Sequence, residues 1–438
     1  MSTEAVVAHV VGVIGLIMLA SSVLGSVVAR FKQPTVIGQI LTGILLGPTL
    51  LGRLPYGVAD RLFPDEILPY LSVLAQVAVV IFMFVVGYEI DFRVLRGHSG
   101  AVSLVVCGCL LVPMALGAGA VLMLPSAFTA LGEDGTGSRS FVLFLAVAVS
   151  VTALPVLAAI VRERGIAGTV PGQLAMTAAG IMDLVVWVAL AAAVAGSSHT
   201  AGRPVWLTAL LAAALILGLA GVVRPALRWW TERSSARLLD QVPLAVVLMT
   251  GCAWATSSLG LHTVFGGFLA GLVMPRPGGY QDADLLKSME GASRVLLPLF
   301  FVVTGLSLDI AALGGAGLAV LGLILCIAVV GKAVPAYASA RLARLGRQDS
   351  ATVAVLLNTR GLTELIALDV GLTAGIIHQR LFVVLVLMAL ITTAMTGPLL
   401  SLLDGRRRAG HGGTTGAGPT SAEQPRWSEE TDVIHRPT

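Results

Sequence analysis

Long apolar runs of about 20 residues, separated by short polar connections, make up most of the chain. A run of this length forms a helix that crosses the roughly 30 Å hydrocarbon core of a bilayer. The pattern predicts thirteen such helices, near 5–29, 34–52, 67–88, 100–124, 140–161, 172–195, 205–223, 241–259, 261–275, 292–311, 315–340, 350–371 and 380–403. We therefore predict an all-α polytopic membrane protein with a transmembrane domain over residues 1–403.

The two ends of the chain differ from this pattern. Residues 404–438 are polar, rich in Gly, Pro, Ser and Thr, and without apolar periodicity. Such a composition predicts a disordered tail, which is too short to hold a nucleotide-binding regulatory domain. No basic stretch precedes the first apolar run, so we expect that helix to be retained rather than cleaved as a signal peptide.

Lysine and arginine residues concentrate on one side of this topology. Taking alternate connections as one side places nineteen of them there and five on the other. The five are Arg53, Arg61, Arg139, Arg203 and Arg380. Positive residues favour cytoplasmic loops, so the N-terminus is predicted to lie outside the cell membrane and the C-terminus in the cytoplasm. An even number of helices would scramble this alternation.

Composition supports the membrane assignment and narrows the function classes. Hydrophobic residues are 56% of the chain, charged residues are 12%, and the mean hydropathy is +0.91. Soluble globular domains carry about 25% charged residues. The net charge is +4, and the positive residues lie mostly on one side of the predicted topology. This distribution indicates a membrane topology and does not indicate nucleic-acid binding. The four cysteines lie in apolar runs without His or acidic clusters, so no metal site or other cofactor is predicted.

Asp183 is the most informative single residue, because it lies near the middle of the apolar run 174–194. A charged side chain at the bilayer centre costs about 2.5 to 3.5 kcal/mol on insertion scales and more in simulations. The first interpretation is an ion-binding or proton-binding site. The alternative is a buried acid that Lys332 neutralises for assembly alone.

Further ionisable residues fall inside predicted helices, namely Lys332, Arg360, Glu364 and Asp369. Lys332 is too deep for an ordinary end-of-helix anchor, although a long side chain can snorkel to the interface. Arg360 and Glu364 are four residues apart, so they can pair on one helical face. Such pairing gives Glu364 a purely structural interpretation beside a functional one.

Two predicted helices carry interruptions at mid-span. Pro155 follows the hydroxyls of Ser150 and Thr152 in the fifth helix, and the stretch 358–363 in the twelfth contains Gly361 and three small polar residues. Breaks at this depth free backbone groups that can bind a cation. Their positions fit two inverted repeats that flank a linker helix, each with one broken helix.

The chain resembles the cation:proton antiporter-2 family, which are sodium(potassium)/proton exchangers with two broken crossover helices. The matching stretches recur in the family's order at 33–48, 84–91, 150–156, 183–187, 265–275, 297–306 and 358–365. One match alone would mean little, whereas seven in register cover nearly the whole predicted membrane domain. The resemblance implies antiport of a monovalent cation, Na⁺ or K⁺, against protons, and a homodimeric assembly.

The resemblance also implies roles for individual residues. Asp183 matches the aspartate that binds cation and proton, and Thr152 lies at the break of the first crossover helix. Arg360 falls in the second crossover helix, and Lys332 matches an intramembrane lysine that compensates charge. Many relatives have an acid or asparagine before the essential aspartate, where this chain has Met182. Methionine can neither bind a proton nor attract Lys332, so we expect electroneutral exchange of one proton per cation.

The predicted mechanism lets proton and cation compete for the carboxylate of Asp183, because burial disfavours its charged form. Thr152, Ser150 and freed backbone carbonyls are expected to complete an oxygen cage. The charge-compensating or coupling residues are Lys332, Arg360 and Glu364. One helix bundle then carries the occupied site across the membrane by alternating access.

Two other function classes can be weighed against antiport. A gated cation channel or a membrane sensor could use the same polar core, although no predicted helix is polar along one full face. An intramembrane enzyme would need a catalytic set within the helices. The core-adjacent imidazoles, His9 and His262, each lie near a helix end, which disfavours enzymatic activity. The sequence leaves the choice between Na⁺ and K⁺ open.

Overall fold

The computed structural model describes residues 2–31, 33, 35–47, 49–53, 57–89, 99–195, 205–233, 241–259, 261–276, 281–306, 308 and 310–411. Within these residues every regular element is helical. The α-helices are α1 Thr3–Arg30, α2 Thr35–Leu46, α3 Val58–Leu62, α4 Leu68–Glu89, α5 Ser99–Met123, α6 Pro125–Thr129, α7 Arg139–Ser150, α8 Leu154–Glu163, α9 Val170–Ala195, α10 Val205–Gly218, α11 Arg224–Arg233, α12 Gln241–Ser258, α13 Thr263–Val273, α14 Ala283–Leu306, α15 Gly314–Leu342, α16 Arg347–Leu357, α17 Leu362–Thr373 and α18 Gln379–His411. A π-helical turn, Leu219–Val223, joins α10 to α11.

Eight helical stretches among the described residues are long and apolar enough to cross a membrane. They are Thr3–Arg30, Leu68–Glu89, Gly100–Met123, Val170–Val194, Leu210–Trp229, Ala283–Leu306, Gly314–Leu342 and Gln379–Leu403. Each overlaps a predicted span, so the multi-pass helical architecture is confirmed. The other predicted spans correspond to shorter helices or to pairs of half-helices, and the count of thirteen stays a prediction.

The helices form two bundles whose members contact each other closely, while the bundles contact one another only sparsely. Bundle 1 comprises α1, α2, α4, α12, α13 and α14, and bundle 2 comprises α5, α7, α8, α9 and α15 to α18. Apolar side chains fill the space between them, as where Val79 and Met83 of α4 share a cluster with Phe144 of α7 and Leu365 of α17. Two hydrogen bonds also cross this boundary among the described residues, from Gln76 to Asp369 and from Gln33 to the carbonyl of Ala394, so few directional bonds fix the relative position of the bundles.

Close backbone contacts hold α13 and α4 of bundle 1 together. A Cβ atom added at Gly267 would lie 2.5 Å from the carbonyl oxygen of Val80, and one at Gly271 would lie 2.1 Å from that of Phe84. Small residues allow membrane helices this approach, which replaces the hydrophobic driving force available in water. The glycine-rich stretch 265–275 therefore serves helix packing in bundle 1.

Two interrupted helices cross at the centre of bundle 2. Helix α7 ends at Ser150 and α8 begins at Leu154, while α16 ends at Leu357 and α17 begins at Leu362. The breaks touch, because the backbone N–H of Ala153 donates to the carbonyl of Thr359 over 3.2 Å. Both interruptions are thus observed where the sequence predicts them. Their membership in inverted repeats stays a prediction.

The last helix continues past the predicted end of the transmembrane domain. Helix α18 runs through residue 403 to His411, and the first part of the predicted tail is therefore helical. The remainder, residues 412–438, lies outside the described residues, so its predicted disorder stays a prediction.

Candidate functional site

Asp183 lies in the middle of α9, which has 26 residues, and its side chain is buried with 1% exposure. Neither carboxylate oxygen makes a hydrogen bond to any residue that the structure describes. The backbone N–H of Leu154, at the start of α8, and the ammonium of Lys332 attract the carboxylate without hydrogen-bond geometry. The N-terminus of a helix carries partial positive charge. Asp183 is therefore a desolvated carboxyl group that faces weak positive potential and has both oxygens available to a ligand.

Lys332 of α15 is fully buried and reaches the end of α7. Its ammonium donates to the backbone carbonyl of Val151 over 2.7 Å and also to that of Ser150. Among the described side chains Lys332 forms no ion pair with a carboxylate. It still lies close enough to Asp183 and Glu364 for electrostatic attraction. Lys332 thus caps the end of α7 through direct hydrogen bonds, and it acts on the two carboxylates only through electrostatic attraction at longer range.

Arg360 lies in the break before α17 and is likewise fully buried. Its guanidinium donates to the carbonyl of Ala148 over 3.0 Å and to that of Val149, and it pairs with Glu364 over 2.8 Å. The predicted pairing with Glu364 is therefore observed, although Arg360 precedes the helix that carries Glu364. Because pairing lowers the cost of burying both charges, it favours a structural component in the role of Glu364.

The four carbonyls from Ala148 to Val151 are the ones that the end of a helix leaves without partners. Lys332 and Arg360 satisfy all four, and cations at this end also oppose the negative pole of the helix dipole. These carbonyls were expected to bind the transported cation; each already accepts a hydrogen bond from Lys332 or Arg360, and their part in the ion site stays a prediction.

The hydroxyls of Ser150 and Thr152 lie at the same break, and both residues are fully buried. The Ser150 hydroxyl donates to the carbonyl of Val147 over 2.8 Å, within its own helix. The Thr152 hydroxyl donates to the carbonyl of Leu357 over 3.5 Å, across the crossing. Each hydroxyl oxygen retains lone pairs that can accept a hydrogen bond or bind a cation. The assignment of both residues to the ion site stays a prediction.

A cavity of about 300 Å³ opens between the bundles near one end of α4. It is lined by Thr35, Gln39, Phe82, Val85, Glu89, Ala158, Glu290, Ser293, Arg294, Leu297 and Phe301. Ala158 belongs to α8 and lies one helical turn from Leu154, the residue that faces Asp183. We call this cavity the vestibule. Its lining carries the polar side chains of Thr35, Gln39, Glu89, Glu290, Ser293 and Arg294.

Two neighbours of the site and one contact between the bundles were not predicted from the sequence. Thr393 of α18 donates to the carbonyl of Arg360 over 2.7 Å and fixes the second break. Trp187, one turn from Asp183, contacts Phe265 of α13 edge-to-face and Phe268 at a tilt, with ring centroids 5.9 and 6.2 Å away. Gln76 of α4 donates to Asp369 over 3.2 Å. A polar residue inside the apolar run of α4 is the signal that could have indicated Gln76.

Comparison with known proteins gives a consistent result. The family model described as sodium/hydrogen exchanger, transmembrane, matches residues 16–403. The chain is 33% identical over 392 residues to Cation/H(+) antiporter 18 of Arabidopsis thaliana, covering 88% of this chain and 48% of that protein. It thus spans about half the length of this relative. It is also 33% identical over 402 residues to the Na(+)/H(+) antiporter NhaS4 of Synechocystis sp., covering 90% and 96%.

Among solved structures the fold is similar to that of the sodium proton antiporter MjNhaP1 from Methanocaldococcus jannaschii. The TM-score is 0.62 at 13% identity, over 92% of this chain and 98% of that one. At this identity the likeness concerns the fold alone.

Proposed function

Because the chain belongs to the sodium/hydrogen exchanger family of monovalent cation:proton antiporters, we propose that it exchanges Na⁺ or K⁺ for protons across a membrane through Asp183. The observation that carries this proposal is a buried carboxylate with two unpartnered oxygens beside the start of a half-helix. A charge in that position is rarely kept for packing. The relatives compared above are named as antiporters, so exchange is favoured over the channel or sensor alternative.

Competition for one carboxylate supplies the coupling. A proton or a cation neutralises Asp183, and binding of either one displaces the other. The unoccupied, charged carboxylate is costly to move through a low-dielectric boundary. The bundle that carries Asp183 therefore crosses only when the site is loaded, and each crossing in one direction is matched by one in the other.

The surrounding residues divide this work. Thr152 and Ser150 supply neutral oxygens near the break, while Lys332 and Arg360 hold α7 in place and balance the carboxylates. Met182, which precedes Asp183, offers no second proton site. This supports an electroneutral exchange of one proton for each monovalent cation.

Alternating access fits the division into two bundles. All the proposed site residues lie in bundle 2, whose contacts with bundle 1 are sparse. In this proposal the vestibule is the entrance for ions at the end that the predicted topology assigns to the cytoplasm. The proposal includes thirteen spans in two inverted repeats, an external N-terminus and a homodimer in the cell membrane.

Proton flux in inverted membrane vesicles tests the proposal. A respiration-driven pH gradient is followed by dye quenching while Na⁺, K⁺ or Li⁺ is added to vesicles with the wild type, Asp183→Asn or an exposed control, Asp65→Asn. We expect one or more cations to collapse the gradient with the wild type and the control only. If every cation fails with the wild type, or if Asp183→Asn responds equally at equal expression, exchange through Asp183 is wrong.

A further inference from the structure

A hydrogen bond joins the two bundles at Asp369. The side-chain amide of Gln76, on α4 of bundle 1, donates to a carboxylate oxygen of Asp369, on α17 of bundle 2, over 3.2 Å. The amide oxygen of Gln76 is buried and makes no hydrogen bond to any described residue. One anionic and one neutral oxygen-bearing group therefore meet at the boundary that alternating access would open.

The charge of Asp369 is not compensated within the described part of the chain. Arg360 is committed to Glu364 and to the carbonyls of α7, and Lys332 is committed to the carbonyls of Ser150 and Val151. No described cationic side chain pairs with Asp369. An intramembrane carboxylate without a counter-charge indicates a functional site, because a proton or a bound cation must neutralise it.

The position of this contact complements that of the vestibule. Phe82, Val85 and Glu89 of α4 line the vestibule, whereas Gln76 lies in the opposite half of the same helix. Asp369 lies near the end of α17 and is partly exposed. The two features thus belong to opposite ends of the boundary between the bundles. At the Asp369 end the bundles are closed by the hydrogen bond, and at the other end they are parted.

We propose that Asp369 and Gln76 form a second monovalent-cation subsite, loaded from the side of the membrane opposite the vestibule. This inference rests on the proposed function and deepens it. When the bundles part at this end, the amide N–H leaves Asp369, and both the carboxylate and the amide oxygen become free. Carboxylate and amide oxygens suit hard cations. The subsite captures the cation on the side of the boundary opposite the vestibule and raises its concentration on the way to Asp183.

The test compares cation affinity on the two faces of the membrane. Exchange is measured in inverted and right-side-out vesicles, and the half-saturating concentration of the cation is determined on each face. Asp369→Asn keeps the shape of the side chain and its capacity to accept from Gln76 but removes the charge. We expect this variant to raise the half-saturating concentration about tenfold on the face opposite the vestibule, and to leave the vestibule face within about twofold.

Two further variants make the result unambiguous. Gln76→Met removes the amide at similar length, and a smaller increase on the same face is expected; it also serves if Asp369→Asn does not fold. Asp65→Asn removes an exposed charge from the connection before α4 and is expected to change neither face. Equal affinities for Asp369→Asn and wild type, or equal increases on both faces, would overturn the subsite. If the wild type shows no cation/proton exchange on either face, the proposed function itself is overturned.

Discussion

Lys332 donates its ammonium protons to the backbone carbonyl of Ser150, a residue 182 positions earlier in the chain. The contact places the Lys332 amine at the end of a half-helix whose backbone carbonyls were expected to bind the transported cation. The same ammonium lies within electrostatic range of Asp183. Lys332 therefore contributes to two properties, the stability of the crossing and the charge state of the ion site, and these can be separated experimentally.

Replacing Lys332 with methionine should destabilise the protein. The change leaves the carbonyls of Ser150 and Val151 buried without donors, and each such group costs about 1 to 3 kcal/mol. We expect a lower melting temperature for the detergent-solubilised protein. It is measured by size-exclusion chromatography of samples heated to a series of temperatures. The matched control is Lys287→Met, because Lys287 is exposed on α14. Equal melting temperatures for both variants would show that water replaces the ammonium as the cap.

Local chemistry explains which parts of the site could be predicted from the sequence. Pro155 and Gly361 interrupt apolar runs, so the positions of both breaks could be predicted from the sequence. The choice of partners for Lys332 could not, because the carbonyls it binds are 181 and 182 residues away and any half-helix end presents similar groups. Gln76 and Asp369 are 293 residues apart, and only the packing of the two bundles brings them together.

Arg360 and Glu364 should behave as a coupled pair in a double-mutant cycle. Breaking a buried ion pair by removing one partner typically costs about 3 to 5 kcal/mol, so Arg360→Gln should fold poorly. The double variant Arg360→Gln with Glu364→Gln removes both charges and should recover part of the lost stability. Thermal unfolding of the four proteins measures the coupling. Additive losses would mean that Arg360 acts only through the carbonyls of Ala148 and Val149.

A geometric test of the packing in bundle 1 uses two glycines of neighbouring helices. Gly267→Ala places a methyl group 2.5 Å from the carbonyl oxygen of Val80, whereas Gly251→Ala on α12 meets nothing within 4 Å. The first substitution should push α13 from α4 and lower the melting temperature. The second should be neutral or slightly stabilising. Comparable melting temperatures for the two would show that α13 and α4 can separate without loss.

The two hydroxyls at the first break should differ in their effect on ion binding. The Ser150 hydroxyl is engaged within its own helix, whereas the Thr152 hydroxyl makes a long contact of 3.5 Å across the crossing. A long hydrogen bond is weak, so Thr152 can turn toward a cation with little loss. We therefore expect Thr152→Val, which preserves shape, to raise the half-saturating cation concentration in the vesicle assay more than Ser150→Ala does. The opposite order would place the ligand on the helical side of the break. Identical values for both variants and wild type would leave Asp183 to bind the cation with water and backbone oxygens only.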